Sequence, residues 1–266
     1  MSFNPVIPTS GLAGWAFLTR TRARQEASFV NNPVLARDVT HFREKFPQIE
    51  TAEALVSDRR LLRIALGAFG LQDEIDNRAF IRRVLEDGTT DRRALANRLT
   101  DKRYLAFATA FSHLTPQAGA APATDLTDQI ISKFQTREFE IAVGAQDQTL
   151  RMSLALQREL PQLLDQYASD DARWFGALGN PPLRAVLETA LGLPREFGTL
   201  DLDDQVTRMR SAMQRQFGSS KIEELATPEI MEKLTTRFLV MSQLRDTQTV
   251  MSGAATALTL LTSMRQ

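Results

Sequence analysis

The sequence contains no cysteine, and only two of its 266 residues are histidine. The lack of cysteine excludes disulfides, thiolate metal sites, iron–sulfur clusters and a cysteine nucleophile. Because His41 and His113 are the only imidazoles, one chain cannot build an all-histidine metal site. We therefore predict that the protein has no metal ligands and no cofactor.

An excess of one charge is also missing. Lysine and arginine together number 32, and aspartate and glutamate together number 32, so the formal net charge is zero. Nucleic-acid-binding proteins and polybasic membrane-surface proteins usually carry a basic excess, so neither class is predicted. The paired arginines, such as Arg82-Arg83, are better interpreted as solvated helix faces with acidic neighbours.

Long hydrophobic runs are absent, and no window of about 18 apolar residues predicts a membrane span. The first residues lack the charged and apolar regions of a cleavable signal peptide, and Pro5 and Pro8 interrupt them. The sequence therefore predicts a cytoplasmic protein or one that is exported without such a signal.

Helical periodicity, in contrast, is widespread. Apolar residues recur at spacings of three and four over residues 61–69, 80–85 and 150–164, and alternating strand patterns are scarce. Hydrophobic residues make up 43% of the chain, which is enough for a sizeable core. The predicted fold class is all-α.

Four helix starts share one pattern, in which an apolar and a small residue precede a capping residue. The capping residues are Asp58, Asp101, Asn180 and Thr227, whose side chains can accept a hydrogen bond from a first-turn amide. Residues 61–71 also match residues 183–193 at a spacing of 122. We predict a repeat-like protein of two similar halves, each with two capped helices, although capped helices also recur by chance.

Each of the matched segments contains a glycine at the same place, Gly70 in the first and Gly192 in the second. Glycine tolerates the left-handed backbone that ends many helices, so both are predicted as helix ends. The stretch 115–124, rich in small residues with two prolines, reads as a linker between halves 1–118 and 119–266. The two halves could equally be fused into one domain.

Amphipathic helices are predicted at both ends of the chain. Between residues 234 and 262, a stripe through Met241, Leu244, Met251 and Leu258 has coiled-coil-like spacing, and residues 12–30 carry another apolar face. Two interpretations are open: these helices associate with partner proteins or a second copy, or they pack on the body of their own chain.

The histidines are weak candidates for chemistry. Asp38, His41 and Glu44 could share one side of a helix, but no second histidine is near, so a partly buried helix residue is favoured over a ligand. His113 follows an apolar run at a predicted helix end, where it could bind terminal carbonyls.

The carboxylate pairs are equally weak candidates for a catalytic site. Asp170-Asp171 and Asp203-Asp204 are neighbours in sequence, and neighbours on a helix point about 100° apart, so we expect them not to converge on a substrate. Phosphate-binding loops and a Gly-x-Ser-x-Gly nucleophile motif are absent from the sequence. We predict no catalytic, cofactor-binding or metal-binding residues, and no enzymatic activity.

A series of short motifs in a fixed order resembles a bacterial family of unknown biochemical function whose members are encoded in flagellar gene clusters. The resemblance spans about residues 14–240. The motifs are LVSDRRLL (55–62), AFGL (68–71), FIRRVL (80–85), LTDKRY (99–104), FEIAVG (139–144), TLRMSL (149–154), TALGLP (189–194) and LDLDDQ (200–205).

This resemblance implies a role in the flagellum and in motility, and it implies no catalytic residue. We expect a non-enzymatic structural or assembly protein that contacts flagellar proteins or a second copy through its terminal helices. It would be cytoplasmic or exported by the flagellar export apparatus. The alternatives are a cytoplasmic chaperone or regulator of assembly, or a cell-wall glycan hydrolase near the basal body, which would need two carboxylates facing each other across a cleft.

Overall fold

The computed structural model describes residues 3–116 and 125–263, except for the side chains of Arg195 and of residues 248–263. Over those residues the regular structure consists of helices without strands, which confirms the all-α prediction. The α-helices are α1 (Gly11–Val30), α2 (Pro33–Lys45), α3 (Ala52–Ser57), α4 (Arg59–Ala68), α5 (Arg78–Asp87), α6 (Leu95–Arg98), α7 (Arg103–Ala110), α8 (Leu126–Gly144), α9 (Gln148–Gln166), α10 (Asp170–Leu178), α11 (Pro181–Ala190), α12 (Leu202–Phe217) and α13 (Pro228–Ser263).

The chain divides into two compact units. Unit 1 comprises Met1–Val6 and Leu18–Gln146, and unit 2 comprises Ile7–Phe17 and Asp147–Gln266. This division differs from the predicted halves 1–118 and 119–266, because α8 packs on α4 and so belongs with the first unit. The predicted linker at 115–124 lies mostly outside the described residues and stays a prediction.

Helix α4 lies at the centre of unit 1. Its apolar residues, including Leu61, Ile64 and Leu66, are buried against α2, α3 and α8. Gly67 allows α8 to approach closely, since a Cβ atom at this position would lie 2.7 Å from the ring of Phe134. A larger residue at position 67 would therefore displace the ring that fills the centre of this core.

Helix α11 has the corresponding place in unit 2, where it packs against α9, α10 and α13. The largest side chain of this core is Trp174 on α10, which is fully buried and donates its indole N–H to the carbonyl of Ser220 at 3.2 Å. The core around it includes Leu156, Leu160, Leu183, Val186, Leu187, Phe197, Met209, Met213, Leu234 and Phe238.

Helices α4 and α11 begin as the sequence predicts. The carboxylate of Asp58 accepts the amide of Leu61 at 3.1 Å, and the side-chain oxygen of Asn180 accepts the amide of Leu183 at 3.1 Å. Both residues have extended backbones that direct their side chains toward the first turn. The N-cap predictions at these two positions are confirmed.

The same two helices also end alike. Gly70 and Gly192 have φ angles of 73° and 68°, and in each case the next residue donates its amide to the carbonyl five residues earlier at 2.9 Å. This pairing around a left-handed glycine is the Schellman motif. The helix-end predictions are therefore confirmed at both glycines, whereas duplication of the chain stays a prediction.

The other two capping residues differ from each other. Asp101 accepts the amide of Arg103 at 2.9 Å, but it lies one residue before the N-cap position of α7, which is Lys102. The hydroxyl of Thr227 instead donates to the carbonyl of Glu224 at 2.8 Å, within the 3-10 turn that precedes α13. At this helix start the threonine hydroxyl binds the preceding turn, as the side chain of Asn180 does not.

Both predicted terminal helices are present, as α1 and α13. Leu234, Phe238 and Leu239 on the first part of α13 are buried within unit 2. For this part of the helix, packing on the body of the same chain is the correct interpretation.

Candidate functional site

The predicted Asp38, His41 and Glu44 set lies on α2 but does not form a metal site. His41 Nε2 lies 2.7 Å from Asp58 Oδ2, and Asp38 binds the guanidinium of Arg63 instead. Among the described residues, no group of three or more potential ligands is placed to hold a metal ion. Partial burial alone would raise the pKa of Asp58, but hydrogen bonds from His41 and from two backbone amides hold that pKa below its usual value.

Arg63 on α4 joins two carboxylates from different helices. It binds the buried Asp38 of α2, and its Nη2 lies 3.1 Å from Glu138 Oε2 of α8. One cation thus bridges a buried and a partly buried carboxylate within unit 1. This arrangement stabilises the packing of three helices and leaves neither carboxylate open to a substrate.

His113 lies in a 3-10 turn, Ser112–Leu114, and not beside helix-terminal carbonyls as predicted. The turn directs the imidazole edge-on toward the ring of Phe46, with 5.8 Å between ring centroids. Its Nε2 is buried without a hydrogen-bond partner. Because the imidazole is half-buried beside aromatic rings, burial lowers the pKa of His113.

The free energy of unfolding should therefore fall on acidification in a way that depends on His113. The unfolded chain binds a proton near the ordinary pKa of about 6.5 and the folded chain only at lower pH, so stability is lost as pH falls from about 6.5 toward the folded-state value. Denaturant titrations of wild type and His113→Leu at several pH values should show this loss in wild type alone, at up to about 1.4 kcal/mol per pH unit. His41→Gln is the matched control and should keep the loss, and equal acid sensitivity in His113→Leu would contradict the prediction.

The Asp170-Asp171 pair binds a shared arginine of the same unit. Asp170 Oδ2 lies 2.5 Å and Asp171 Oδ1 2.6 Å from the same Nη2 of Arg210 on α12. Asp170 also accepts the backbone amide of Ile222 at 3.1 Å. The two carboxylates diverge on the helix, yet the long arginine side chain reaches both, so they join α10 to α12 within unit 2.

Arginines elsewhere are paired as the sequence predicts. Arg82 Nη1 lies 2.5 Å from Glu53 Oε2, and Arg83 Nε lies 2.7 Å from Asp87 Oδ1. These contacts confirm the interpretation of Arg82-Arg83 as a helix face with acidic neighbours.

Two further arginines attach α13 to the end of α11 in unit 2. Arg237 donates to the carbonyl of Ala190 at 2.5 Å, and Arg245 donates to the carbonyl of Leu193 at 2.9 Å. Cations are favourable beside the unpaired carbonyls at a helix C-terminus. These contacts hold α13 along unit 2 as far as residue 245.

Apolar side chains remain exposed at this part of unit 2. Val240 is 38% exposed, Leu244 52% and Leu12 of α1 43%. The start of α1 lies close to α13, since a Cβ atom on Gly11 would be 2.0 Å from Gln243 Nε2. We call Leu12, Val240 and Leu244 the distal patch, and it is the best candidate for a binding surface.

The predicted stripe continues through Met251 and Leu258, whose side chains are not among those that the structure describes. The backbone of α13 nevertheless continues as a helix to Ser263. In sequence, no charged residue occurs between Asp246 and Arg265. The apolar surface that begins at the distal patch is thus followed by an uncharged stretch of the same helix.

Comparisons with known proteins indicate a fold and a family. In the part of the chain that the structure describes, no helix is long and apolar enough to cross a membrane. No curated protein matches the sequence significantly. A crystal structure of a structural-genomics target from Agrobacterium tumefaciens has the same fold, with a TM-score of 0.71 and 24% identity over 91% of this chain and 99% of that one. The family model described as a protein of unknown function (DUF1217) matches residues 68–231, and because this is more than half of the chain, the protein belongs to that family.

Proposed function

We propose that this protein is a non-enzymatic structural or assembly component of the bacterial flagellum that acts through helix-mediated contacts with flagellar proteins. The observation that carries the proposal is the distal patch, Leu12, Val240 and Leu244, together with the uncharged continuation of α13. The flagellar context is supported by the ordered motifs of the sequence, which resemble a family encoded in flagellar gene clusters.

The dimensions of α13 support a contact with another chain. Its 36 residues correspond to a length of about 54 Å at 1.5 Å per residue. Leu234, Phe238 and Leu239 are buried, whereas Val240 and Leu244 are exposed farther along the helix. Most of the stability of a helix in a protein comes from packing its apolar face against another element. A partner helix or groove would therefore stabilise this uncharged end of α13.

The state of the carboxylates supports a non-enzymatic role. Asp38 is bound by Arg63, Asp58 by His41 and two amides, and Asp170 and Asp171 by Arg210. Each of these groups already has a structural partner. A glycan hydrolase would instead place two carboxyl groups about 5 to 9.5 Å apart on either side of a cleft.

Leu244→Asp should weaken capture of flagellar partner proteins by at least about tenfold, because it places a charge in an apolar contact, at a cost above 1.4 kcal/mol. Pull-down from flagellated cells would measure partner capture. Val34→Asp is the matched control, since Val34 is 53% exposed and lies at the start of α2 in unit 1. Unchanged binding by Leu244→Asp with native circular dichroism would contradict the proposal.

Localisation tests the flagellar role itself. Cells with a tagged copy would be fractionated with and without a working flagellar export apparatus. Export-dependent appearance in basal bodies or in the medium is the expected result for an axial or assembly component. Retention in the cytosol would favour a chaperone or regulator, and normal motility of a deletion strain would contradict the flagellar role.

A further inference from the structure

The N-terminal segment of unit 1 is held by a buried glutamine. We call residues 3–6 the arm, and they form neither helix nor strand. Gln25 on α1 is only 6% exposed, and its Oε1 accepts the amide of Val6 at 2.6 Å while its Nε2 donates to the carbonyl of Val6 at 3.1 Å. The side-chain amide thus pairs with both backbone groups of one residue, as a neighbouring strand would.

A second glutamine completes the contact. Gln146, two residues beyond the end of α8, donates its Nε2 to the carbonyl of Pro5 at 2.6 Å. The side chain of Pro5 is buried, whereas Asn4 and the side chain of Val6 are exposed. All three of these hydrogen bonds therefore reach backbone atoms of the arm, and of its side chains Pro5 is buried and Phe3 is half-buried.

The arm is suited to being bound as an extended peptide. Pro5 fixes its own φ angle and biases Asn4 toward an extended backbone, so little conformational freedom is lost when the segment binds. The attachment consists of three hydrogen bonds, one buried ring and the half-buried side chain of Phe3. Such a small contact can open locally while the helical core stays folded.

We propose that Gln25 and Gln146 form a binding site for an extended Asn-Pro-Val segment, which the arm occupies reversibly and which the arm of a second copy can occupy in exchange. A second copy is the occupant that fits, because its arm offers the same backbone groups and the same proline, bond for bond. The arm residues that face solvent carry no charge that would select a different partner. This inference concerns unit 1 and is independent of the distal patch.

The test uses the full chain with its own arm released. Val6→Pro removes the amide that Gln25 accepts and leaves the chain length unchanged. A fluorescent peptide of residues 1–10 should bind Val6→Pro at least about tenfold more tightly than wild type, whose tethered arm competes at high effective concentration. Binding should be lost in the double variant Val6→Pro/Gln25→Ala and kept in Val6→Pro/Gln129→Ala, since Gln129 is an exposed residue of α8. No binding of the peptide by Val6→Pro would overturn the proposal.

Two further measurements keep the test decisive if Val6→Pro misfolds. Hydrogen exchange of the Val6 amide should be slowed, yet insensitive to urea below the unfolding transition, as expected for local opening. Light scattering over a concentration series should show a dimer that Leu244→Asp retains and Gln25→Ala loses. Exchange of Val6 only through global unfolding would overturn the reversible arm, and a monomer at every concentration would overturn the exchange between copies.

Discussion

Trp174→Ala is expected to lower the free energy of unfolding of unit 2 by about 3–5 kcal/mol. The indole is fully buried between α10 and its neighbours, and its N–H donates to the carbonyl of Ser220 at 3.2 Å. The substitution leaves a cavity and removes that hydrogen bond. Because whole domains are stable by only about 5–15 kcal/mol, the loss should be large enough to leave unit 2 partly unfolded in mild denaturant. Urea titration followed by far-UV circular dichroism measures the effect without relying on the deleted fluorophore.

The neighbouring residue provides a matched control. Phe175 follows Trp174 on α10 but is 40% exposed. Phe175→Ala should therefore cost less than about 1 kcal/mol, since exposed substitutions remove little packing. Similar losses for the two substitutions would show that the core of unit 2 is not organised around Trp174.

Arg63→Ala is expected to destabilise unit 1 by about 2–4 kcal/mol. The substitution leaves the carboxylate of Asp38 buried on α2, and that of Glu138 on α8, without their shared cation. Removal of one partner from a buried ion pair costs about 3–5 kcal/mol, and we expect somewhat less here because Arg63 is partly exposed. Chemical denaturation of wild type and variant at pH 7 measures the difference.

Two variants separate this mechanism from a general loss of an arginine. Arg60 lies on the same helix, 3.9 Å from Asp38 and with its side chain 63% exposed, so Arg60→Ala should cost less than about 1 kcal/mol. Asp38→Asn added to Arg63→Ala should recover part of the stability, because it removes the stranded charge. If the double variant is no more stable than Arg63→Ala, the loss does not come from that charge.

Much of the secondary structure was predictable because its causes are local. Apolar spacing is enough to locate helices such as α4, α9 and α13, since a period near 3.6 has to bury one face. Asp58 and Asn180 act within three residues of their own positions, and the glycines at 70 and 192 act within one turn. Features of this range can be read from a few neighbouring residues.

The features that the sequence did not reveal depend on distant partners. His113 was expected near helix carbonyls, but the fold places it against Phe46. The contact of Asp170 and Asp171 with Arg210, about forty residues away in sequence, was not predicted at all. The boundary between units moved to Gln146–Asp147 because α8 packs on α4, which no linker composition reveals. A side chain selects its partner among all groups that the fold brings near.

In the candidate binding surfaces, too, some properties follow from local sequence and others from tertiary structure. That α13 is a long helix whose last part is uncharged is a property of residues 228–263 alone, because helix period and charge are local quantities. Which of its residues are buried and which form the distal patch depends on how far Arg237 and Arg245 hold it against α11. The pairing of Gln25 and Gln146 with the arm is likewise a matter of tertiary structure, since these hydrogen bonds join residues 19 and 141 positions apart. Such hydrogen bonds require that the packing of the hydrophobic core bring their partners within reach. Local sequence does not encode which distant residues this packing brings together.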